Sequence, residues 1–372
     1  MFAKPLSMTL VYIVTICNIV VMSSPLLALT IPFLSFHNHS LVVEYGLIQK
    51  IKLGFCFLTF LVSFLMLAYL MLDLLFGFAL RASLKGCVRH EKLKEYDFLT
   101  GIFDQVKNKF GAKSVKLYVK NTDEINAYAI ASMGSKAMVL TRGLINHYLV
   151  ECPDPKKFLY ALRSIMGHEM SHLINKDFLP TYLIINNQKI TNFISKILHI
   201  LFDWIGFAVS FIPYTGRYSL RLMHSAYSML NLILTSFNRL VVYNLYEFLR
   251  RFISRSIEYR CDYQSSKAFG GKHMALALSM LSEGGYLTLF STHPRTSARI
   301  KKVENVKISD AIITPRFFDS LANYFSLMFL AIICLYFAKQ AGVDLIARKY
   351  LKNHEVINRK LGMLWHLISS IY

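Results

Sequence analysis

The chain begins with two long apolar stretches separated by a short segment that contains polar residues. Residues 8–31 contain no charged residue, and residues 54–80 contain only Asp73. A helix of about 20 apolar residues is long enough to cross a hydrocarbon core of roughly 30 Å. The pattern therefore predicts that residues 1–90 form a transmembrane hairpin.

A cleaved signal peptide is the alternative interpretation of the first stretch. Lys4 precedes it, and the small residues Ser23 and Ser24 lie near its end. The stretch is longer than the usual apolar core of a signal peptide, and a second apolar stretch follows almost at once. We therefore expect the first stretch to be retained.

From about residue 90 the chain mixes charged and apolar positions, as a soluble domain does. Residues 114–120 alternate between apolar and polar side chains and predict a strand, and the apolar residues 137–140 predict another. Thr141 is a suitable cap for the helix that follows. The pattern thus predicts a small α+β domain.

A second helix of this domain carries a group of polar residues. Residues 151–157 contain two prolines and predict a linker. After it, apolar residues recur at helical spacing over residues 158–174. The sequence HEMSH places His168, Glu169 and His172 on this helix.

Three further apolar stretches follow the HEMSH sequence. Residues 192–212 and 226–249 are interrupted by charged and polar residues, so they predict either a membrane hairpin or the wall of a chamber. Residues 321–338 are a better candidate for a membrane span, and a basic tail follows them. An odd number of crossings would place that tail outside, so one of these stretches does not cross completely.

The composition and charge agree with a membrane protein. Hydrophobic residues make up 54% of the chain and charged residues only 17%, and the net charge is +20. Anionic lipid accounts for much of this charge, and the chain lacks a nucleic-acid-binding motif, which argues against nucleic acid as a partner. Five basic residues follow the second apolar stretch, namely Arg81, Lys85, Arg89, Lys92 and Lys94. The region after residue 80 is therefore expected to face the cytoplasm.

The six cysteines are scattered and form no Cys-x-x-Cys pair. This spacing indicates neither a disulfide framework nor a thiolate zinc site. Cys261 is best explained as a buried cysteine without an assigned role.

The HEMSH sequence has the spacing of a zinc site. Positions i and i+4 share one face of a helix, so His168 and His172 can bind the same Zn²⁺ ion. Glu169 lies about 100° around the helix and can reach a water at the metal. Downstream, Glu258 and Asp262 are again four residues apart. Glu258 could supply the third ligand, and Asp262 could accept a hydrogen bond from a ligand histidine.

These motifs resemble those of the HtpX and CAAX-prenyl-protease family of integral-membrane zinc metallopeptidases. The family order is His-Glu-x-x-His, an apolar insert, Ser-Arg-x-x-Glu-Tyr-x-x-Asp and Ser-Thr-His-Pro. Here the matching sequences are HEMSH, SRSIEYRCD and STHPRTSARI, and INAYAI resembles a segment that precedes the active-site helix. The resemblance covers residues 115–300. Arg260 and Cys261 depart from it, because the relatives usually carry small or apolar residues there.

The resemblance implies roles for residues outside the three ligands. It implies that His293 donates to the developing oxyanion, with Tyr259 as a weaker candidate, and that Arg299 orients the loop of His293. The INAYAI sequence supplies Asn126, Ala127 and Tyr128, which are expected to form an edge strand that binds extended substrates. One Zn²⁺ ion per chain is expected, held as in the gluzincins.

The predicted fold is a mainly α membrane protein with an α+β zincin-like metallopeptidase domain, whose small sheet has an edge strand beside the active-site helix. Its parts are a transmembrane hairpin (1–90), the first half of the peptidase domain (91–180), an apolar helical insert (181–250), the second half (251–310), and an apolar helix with a basic tail (311–372).

The predicted function is that of a membrane-bound zinc endopeptidase in quality control of misfolded or damaged membrane proteins. Its partners would be unfolded or membrane-protein polypeptides and membrane lipids. The resemblance to HtpX-like proteins implies a multi-pass protein of the bacterial inner membrane with its catalytic domain in the cytoplasm. The alternatives are a CAAX-type processing protease and a catalytically silent membrane scaffold. A transporter is disfavoured, since the chain shows no paired repeats.

Overall fold

A computed structural model describes residues 47–179, 243–281 and 294–343, together with isolated positions before and between these ranges. The first predicted span, most of the apolar insert and the basic tail lie outside the described residues. The chain divides into two compact units, one made of residues 1–15 and 68–327 and the other of residues 16–67 and 328–372. The sheet and the predicted site belong to the first unit.

The described part of the chain is mostly helical and contains one small sheet. Its helices are α1 (Leu47–Phe76), α2 (Phe78–Ser83), α3 (Phe98–Lys109), α4 (Arg142–Glu151), α5 (Pro155–Ile174), α6 (Asn244–Phe269), α7 (Gly271–Ser279), α8 (Thr296–Val303) and α9 (Phe317–Gln340). Its strands are β1 (Cys87–Arg89), β2 (Val115–Lys120), β3 (Ala127–Ser132) and β4 (Ser135–Thr141). Two short 3₁₀ turns, His90–Lys92 and Lys94–Tyr96, join β1 to α3.

Two of the described helices, α1 over Lys52–Phe76 and α9, are long and apolar enough to cross a membrane. Length and composition alone identify them, and core helices or signal sequences can meet the same criteria. The second apolar stretch, residues 54–80, was predicted to cross as a helix of about 20 residues, and the structure divides this stretch between α1 and α2. Helix α1 ends at Phe76 because Gly77 has a φ of 64°, a left-handed conformation that glycine adopts without steric cost.

The sheet has the strand order β1-β2-β4-β3 and is mixed. Strands β2 and β4 are parallel, whereas β1 pairs with β2 and β3 pairs with β4 in antiparallel fashion. The β3–β4 hairpin pairs Ser132 with Ser135, so its turn consists of Met133 and Gly134. In this sheet β3 is an edge strand, as the sequence predicts.

Helix α5 lies at the centre of the first unit. It packs against β3, β4, α6 and α7. Its apolar residues join those of the sheet, α3 and α4 in one core, in which Leu117, Met138 and Leu140 are almost completely buried. The core therefore fixes the helix that carries the HEMSH sequence.

Helices α5 and α6 pack closely at Gly167, directly before His168. A Cβ atom at this position would lie 2.8 Å from a ring carbon of Phe269 and 2.8 Å from the Ser265 hydroxyl oxygen. That hydroxyl donates a hydrogen bond of 2.6 Å to the carbonyl oxygen of Ser164. Glycine thus lets the two helices approach closely beside the predicted site.

The local predictions for this unit are mostly confirmed. The two predicted strands correspond to β2 and β4, and the Thr141 hydroxyl accepts the Leu144 N–H at 3.2 Å as the cap of α4. The predicted linker is too long, because α5 begins at Pro155. Proline suits the first helical position since its missing N–H would have no partner within the helix, and the side chain of Asp154 caps this end by accepting the Lys156 N–H.

Candidate active site

Three of the predicted ligands come together from two helices. His168 and His172 lie on α5 and Glu258 lies on α6, with their ligand atoms within 4.8 Å of one another. The two histidine Nε2 atoms are 3.2 Å apart, and the Nε2 atom of His168 is 3.4 Å from a Glu258 carboxylate oxygen. Two ligands held about 2.0–2.1 Å from a tetrahedral ion lie about 3.3–3.4 Å apart. This donor set fits one divalent metal ion.

The opposite ring nitrogens of both histidines face carboxylates. The Nδ1 atom of His168 is 2.8 Å from Asp262, and the Nδ1 atom of His172 is 3.0 Å from Asp177. A carboxylate accepts a hydrogen bond from Nδ1–H, which leaves the lone pair of Nε2 free to bind a metal. Asp262 and Asp177 therefore orient both imidazole rings with Nε2 toward the centre of the site.

Asp177 was not identified from the sequence. It reaches His172 because the chain turns back directly after α5, where Lys176 has a φ of 54° and the Asp177 N–H donates to the carbonyl oxygen of His172. The left-handed conformation costs a non-glycine residue about 1–3 kcal/mol. The only sequence signal for the contact between His172 and Asp177 is the spacing His-x4-Asp at the end of the helix. This spacing does not predict the left-handed turn at Lys176 that brings the two side chains together.

Arg299, on α8, joins two of the acidic residues. Its Nε and Nη2 atoms each donate a 2.7 Å hydrogen bond to Asp262, and Nη2 is 3.1 Å from Glu258. The sequence predicted that Arg299 orients the loop of His293, which lies outside the described residues, and its described contacts are with these carboxylates. Arg299 balances their negative charge and fixes Asp262 against His168.

Burial and charge act in opposite directions on the ionisable groups of the site. Burial lowers the pKa of His168, but the carboxylates of Glu258 and Asp262 outweigh it and raise this pKa to about 10. Burial likewise raises the pKa of Asp262, but hydrogen bonds from Arg299 and His168 hold it below its usual value. The carboxylates of the site therefore favour a positive charge beside them, which a bound metal ion would supply.

Glu169 and the three candidate ligands line a cavity of about 420 Å³. The cavity is bounded by α5, α6 and residues 126–130, so the edge strand β3 lies along it. Glu169 is buried and lines this cavity together with the candidate ligands. A carboxylate that lines a cavity beside a group of potential metal ligands is a candidate general base.

Strand β3 presents alternate backbone groups to the cavity. The Thr141 N–H donates to the carbonyl oxygen of Asn126, so the even-numbered residues of this segment bond to β4. By the alternation of an antiparallel pair, the N–H and C=O groups of Ala127 and Ala129 point away from β4. At the far end, the Ala131 carbonyl oxygen accepts a 3.4 Å hydrogen bond from the Tyr182 hydroxyl.

The predicted substrate residues therefore differ in what they offer. Asn126, Ala127 and Tyr128 all line the cavity, but only Ala127 directs its backbone groups away from β4. The hydroxyl of Tyr128 donates to the carbonyl oxygen of Ser83 and so anchors the strand to the end of α2. Ala129, which the sequence did not single out, offers the next pair of backbone groups.

The two proposed oxyanion donors differ in what the structure shows of them. His293 lies outside the described residues. Tyr259 is absent from the described cavity lining and lies instead beneath Lys302, whose Nζ atom is 3.4 Å from the ring centroid. The described contacts of Tyr259 therefore do not support an oxyanion role.

Comparison with known proteins gives one match. The model of peptidase family M48 matches residues 99–307, which is more than half of the chain and includes every residue of the site described above. No curated protein and no solved structure matches the chain significantly.

Proposed function

Because the chain belongs to peptidase family M48, we propose that this metallopeptidase is a zinc-dependent endopeptidase bound to a membrane. The observation that supports zinc is the donor set of two histidine nitrogens and one carboxylate. In addition, the Nδ1 atom of each histidine lies within hydrogen-bond distance of an acidic residue. Three protein ligands with one open position are typical of catalytic zinc sites.

His168, His172 and Glu258 would hold the ion. When bound, zinc would supply Lewis acidity, which polarises the peptide carbonyl and lowers the pKa of a water molecule. Glu169 lies directly after His168 and faces the cavity, so its carboxylate takes a proton from the attacking water. The same carboxyl group then delivers this proton to the amine that leaves.

An extended substrate fits beside β3. Ala127 and Ala129 offer backbone N–H and C=O groups to it, and pairing of this kind makes little demand on the side chains of the substrate. The Tyr182 hydroxyl donates a hydrogen bond to the carbonyl oxygen of Ala131, so the part of β3 that can pair with a substrate ends before this residue. We assign the additional oxyanion donor to His293, from its place in the STHP sequence.

The proposed location is a membrane, with several crossings. Helices α1 and α9 are the described candidates, and the apolar residues 8–31 provide another from sequence. The basic residues that follow α1 favour a cytoplasmic catalytic domain, as in an HtpX-like protein of the bacterial inner membrane. Misfolded or damaged membrane proteins are the substrates that suit a site binding mainly the peptide backbone.

Competing substrates test this assignment. Detergent-purified protein supplied with zinc is incubated with an unfolded membrane polypeptide and, separately, with a farnesylated CAAX peptide. Cleavage at several internal bonds of the polypeptide supports quality control, whereas exclusive cleavage of the prenylated peptide would support the processing protease. Full zinc binding with neither substrate cleaved would support a silent scaffold.

A further inference from the structure

A second group of potential metal ligands lies behind His172. The Nδ1 atom of His172, a carboxylate oxygen of Asp177 and the Sγ atom of Cys261 all lie within 4.8 Å of one another. The guanidinium group of Arg260 already contacts this group, since its Nη2 atom pairs with Asp177 and lies 3.4 Å from Cys261. The positive charge in this cluster is therefore the side chain of Arg260.

The other end of the guanidinium group reaches a different helix. Its Nη1 atom lies 2.5 Å from a carboxylate oxygen of Asp319, in the first turn of α9. All three charged side chains are at least nine-tenths buried, with 4% of Arg260, 6% of Asp177 and 9% of Asp319 exposed. One buried arginine thus joins the residue behind His172 to the beginning of an apolar helix.

Further hydrogen bonds hold the same segments together. The side chain of Asn323, on α9, donates to the carbonyl oxygen of Asn175 at 2.9 Å. The Lys176 ammonium donates to the hydroxyl of Tyr324, also on α9, at 2.6 Å. The turn that carries Asp177 is therefore fixed from two directions, by Arg260 on α6 and by the first two turns of α9.

We propose that Arg260 is a positioning residue, which couples the orientation of His172 to the first turn of α9 through Asp177 and Asp319. The inference rests on the proposed zinc function. Asp177 has to accept a hydrogen bond from His172, and the guanidinium group fixes its carboxylate in the orientation that allows this. A displacement of Asp319 would move Arg260 and, through Asp177, reorient His172. The position of the first turn of α9 therefore affects the affinity for zinc.

The affinity for zinc tests the coupling without relying on catalysis. The full chain in detergent is stripped of metal, and the Kd for Zn²⁺ is measured by competition with a fluorescent chelator. Arg260→Met is expected to raise this Kd about 10- to 100-fold, as changes behind a ligand histidine do. Asp319→Asn is expected to raise it less, because it removes only one of the two partners of Arg260.

The double variant distinguishes coupling from separate effects. If Asp319 acts only through Arg260, then Arg260→Met with Asp319→Asn has the same Kd as Arg260→Met alone. Arg251→Met is the matched control, because Arg251 lies on the same helix and pairs with Glu247 rather than with Asp177. Its Kd for zinc should equal that of the wild type.

Thermal unfolding of the metal-free variants shows which of them are folded. Folded variants with the wild-type Kd, or effects of the two substitutions that add fully, would overturn the proposal. If Arg260→Met does not fold, Asp319→Asn decides the question by the same criterion. A wild-type chain that binds zinc but cleaves no peptide would contradict the proposed function and leave the affinity comparison valid.

Discussion

At the scale of single residues, the site is organised by which nitrogen of each histidine faces which partner. Both Nε2 atoms face Glu258, while Asp262 and Asp177 hold the Nδ1 atoms. The i and i+4 spacing predicts that His168, Glu258 and Asp262 belong to one site, because such positions share a helix face. It does not predict Asp177, whose contact with His172 depends on a left-handed residue after the helix.

Replacement of the carboxylate ligand tests the donor set. Glu258→Gln keeps the volume of the side chain but removes its charge, so it should weaken zinc binding by more than the roughly 10–100-fold typical of residues behind a ligand. Dialysis against a chelator followed by metal analysis measures the loss. Glu247→Gln on the same helix is the control, and one zinc retained in Glu258→Gln would exclude Glu258 as a ligand.

The role assigned to His293 predicts a different result. His293→Ala should lower turnover about 10- to 1000-fold while zinc stays bound, because the lost donor acts on the developing charge of the carbonyl oxygen. Turnover and metal content are measured on the same preparation. His273→Ala is the control, because that ring stacks on Tyr160 instead. Loss of zinc from His293→Ala would show that this residue was given the wrong role.

At the scale of elements, the site depends on the contact of α5 with α6. Each helix carries part of the donor set, and Gly167 sets how closely they approach. Alternation predicted β2, whose burial alternates along the strand, whereas helical spacing predicted α5 and a short apolar run predicted the buried strand β4. None of these patterns predicted the start of α5, since the two prolines were both read as helix breakers although Pro155 fits the first turn.

Substitution at this helix contact should destabilise the protein. Gly167→Ala forces a methyl group against Phe269 and Ser265, which is expected to cost about 1–3 kcal/mol and to reduce zinc affinity by separating His168 from Glu258. Chemical denaturation and chelator competition measure the two effects. Gly101→Ala, in open space on α3, should stabilise by about 0.5–1 kcal/mol. Equal stability of both variants would contradict the proposed close contact.

At the scale of the whole molecule, composition and apolar length lead to the predicted membrane location, and the family match identifies the peptidase domain. Hydropathy finds α1 and α9 because it needs only a local count of apolar residues. It does not reveal that the start of α9 is tied to the site, because the Asp319–Arg260 pair joins residues 59 positions apart. Contacts of this kind depend on the tertiary fold.

Membrane extraction tests the proposed location. If helices cross the bilayer, the chain stays in the membrane fraction after washing with high salt and with alkaline carbonate, and detergent releases it. Attachment through the basic surface alone would be screened by salt. Immunoblotting of the fractions gives the result. Release by either wash would contradict the membrane-spanning assignment.

The central claim, a zinc peptidase in which Glu169 moves the proton, is tested most directly by one paired measurement. Purified wild type and Glu169→Gln are compared for bound zinc and for cleavage of an unfolded membrane polypeptide. Both proteins should hold one zinc per chain, and the variant should cleave about 10²- to 10⁴-fold more slowly. Absence of zinc from the wild type, together with equal cleavage by the two proteins, would contradict the claim.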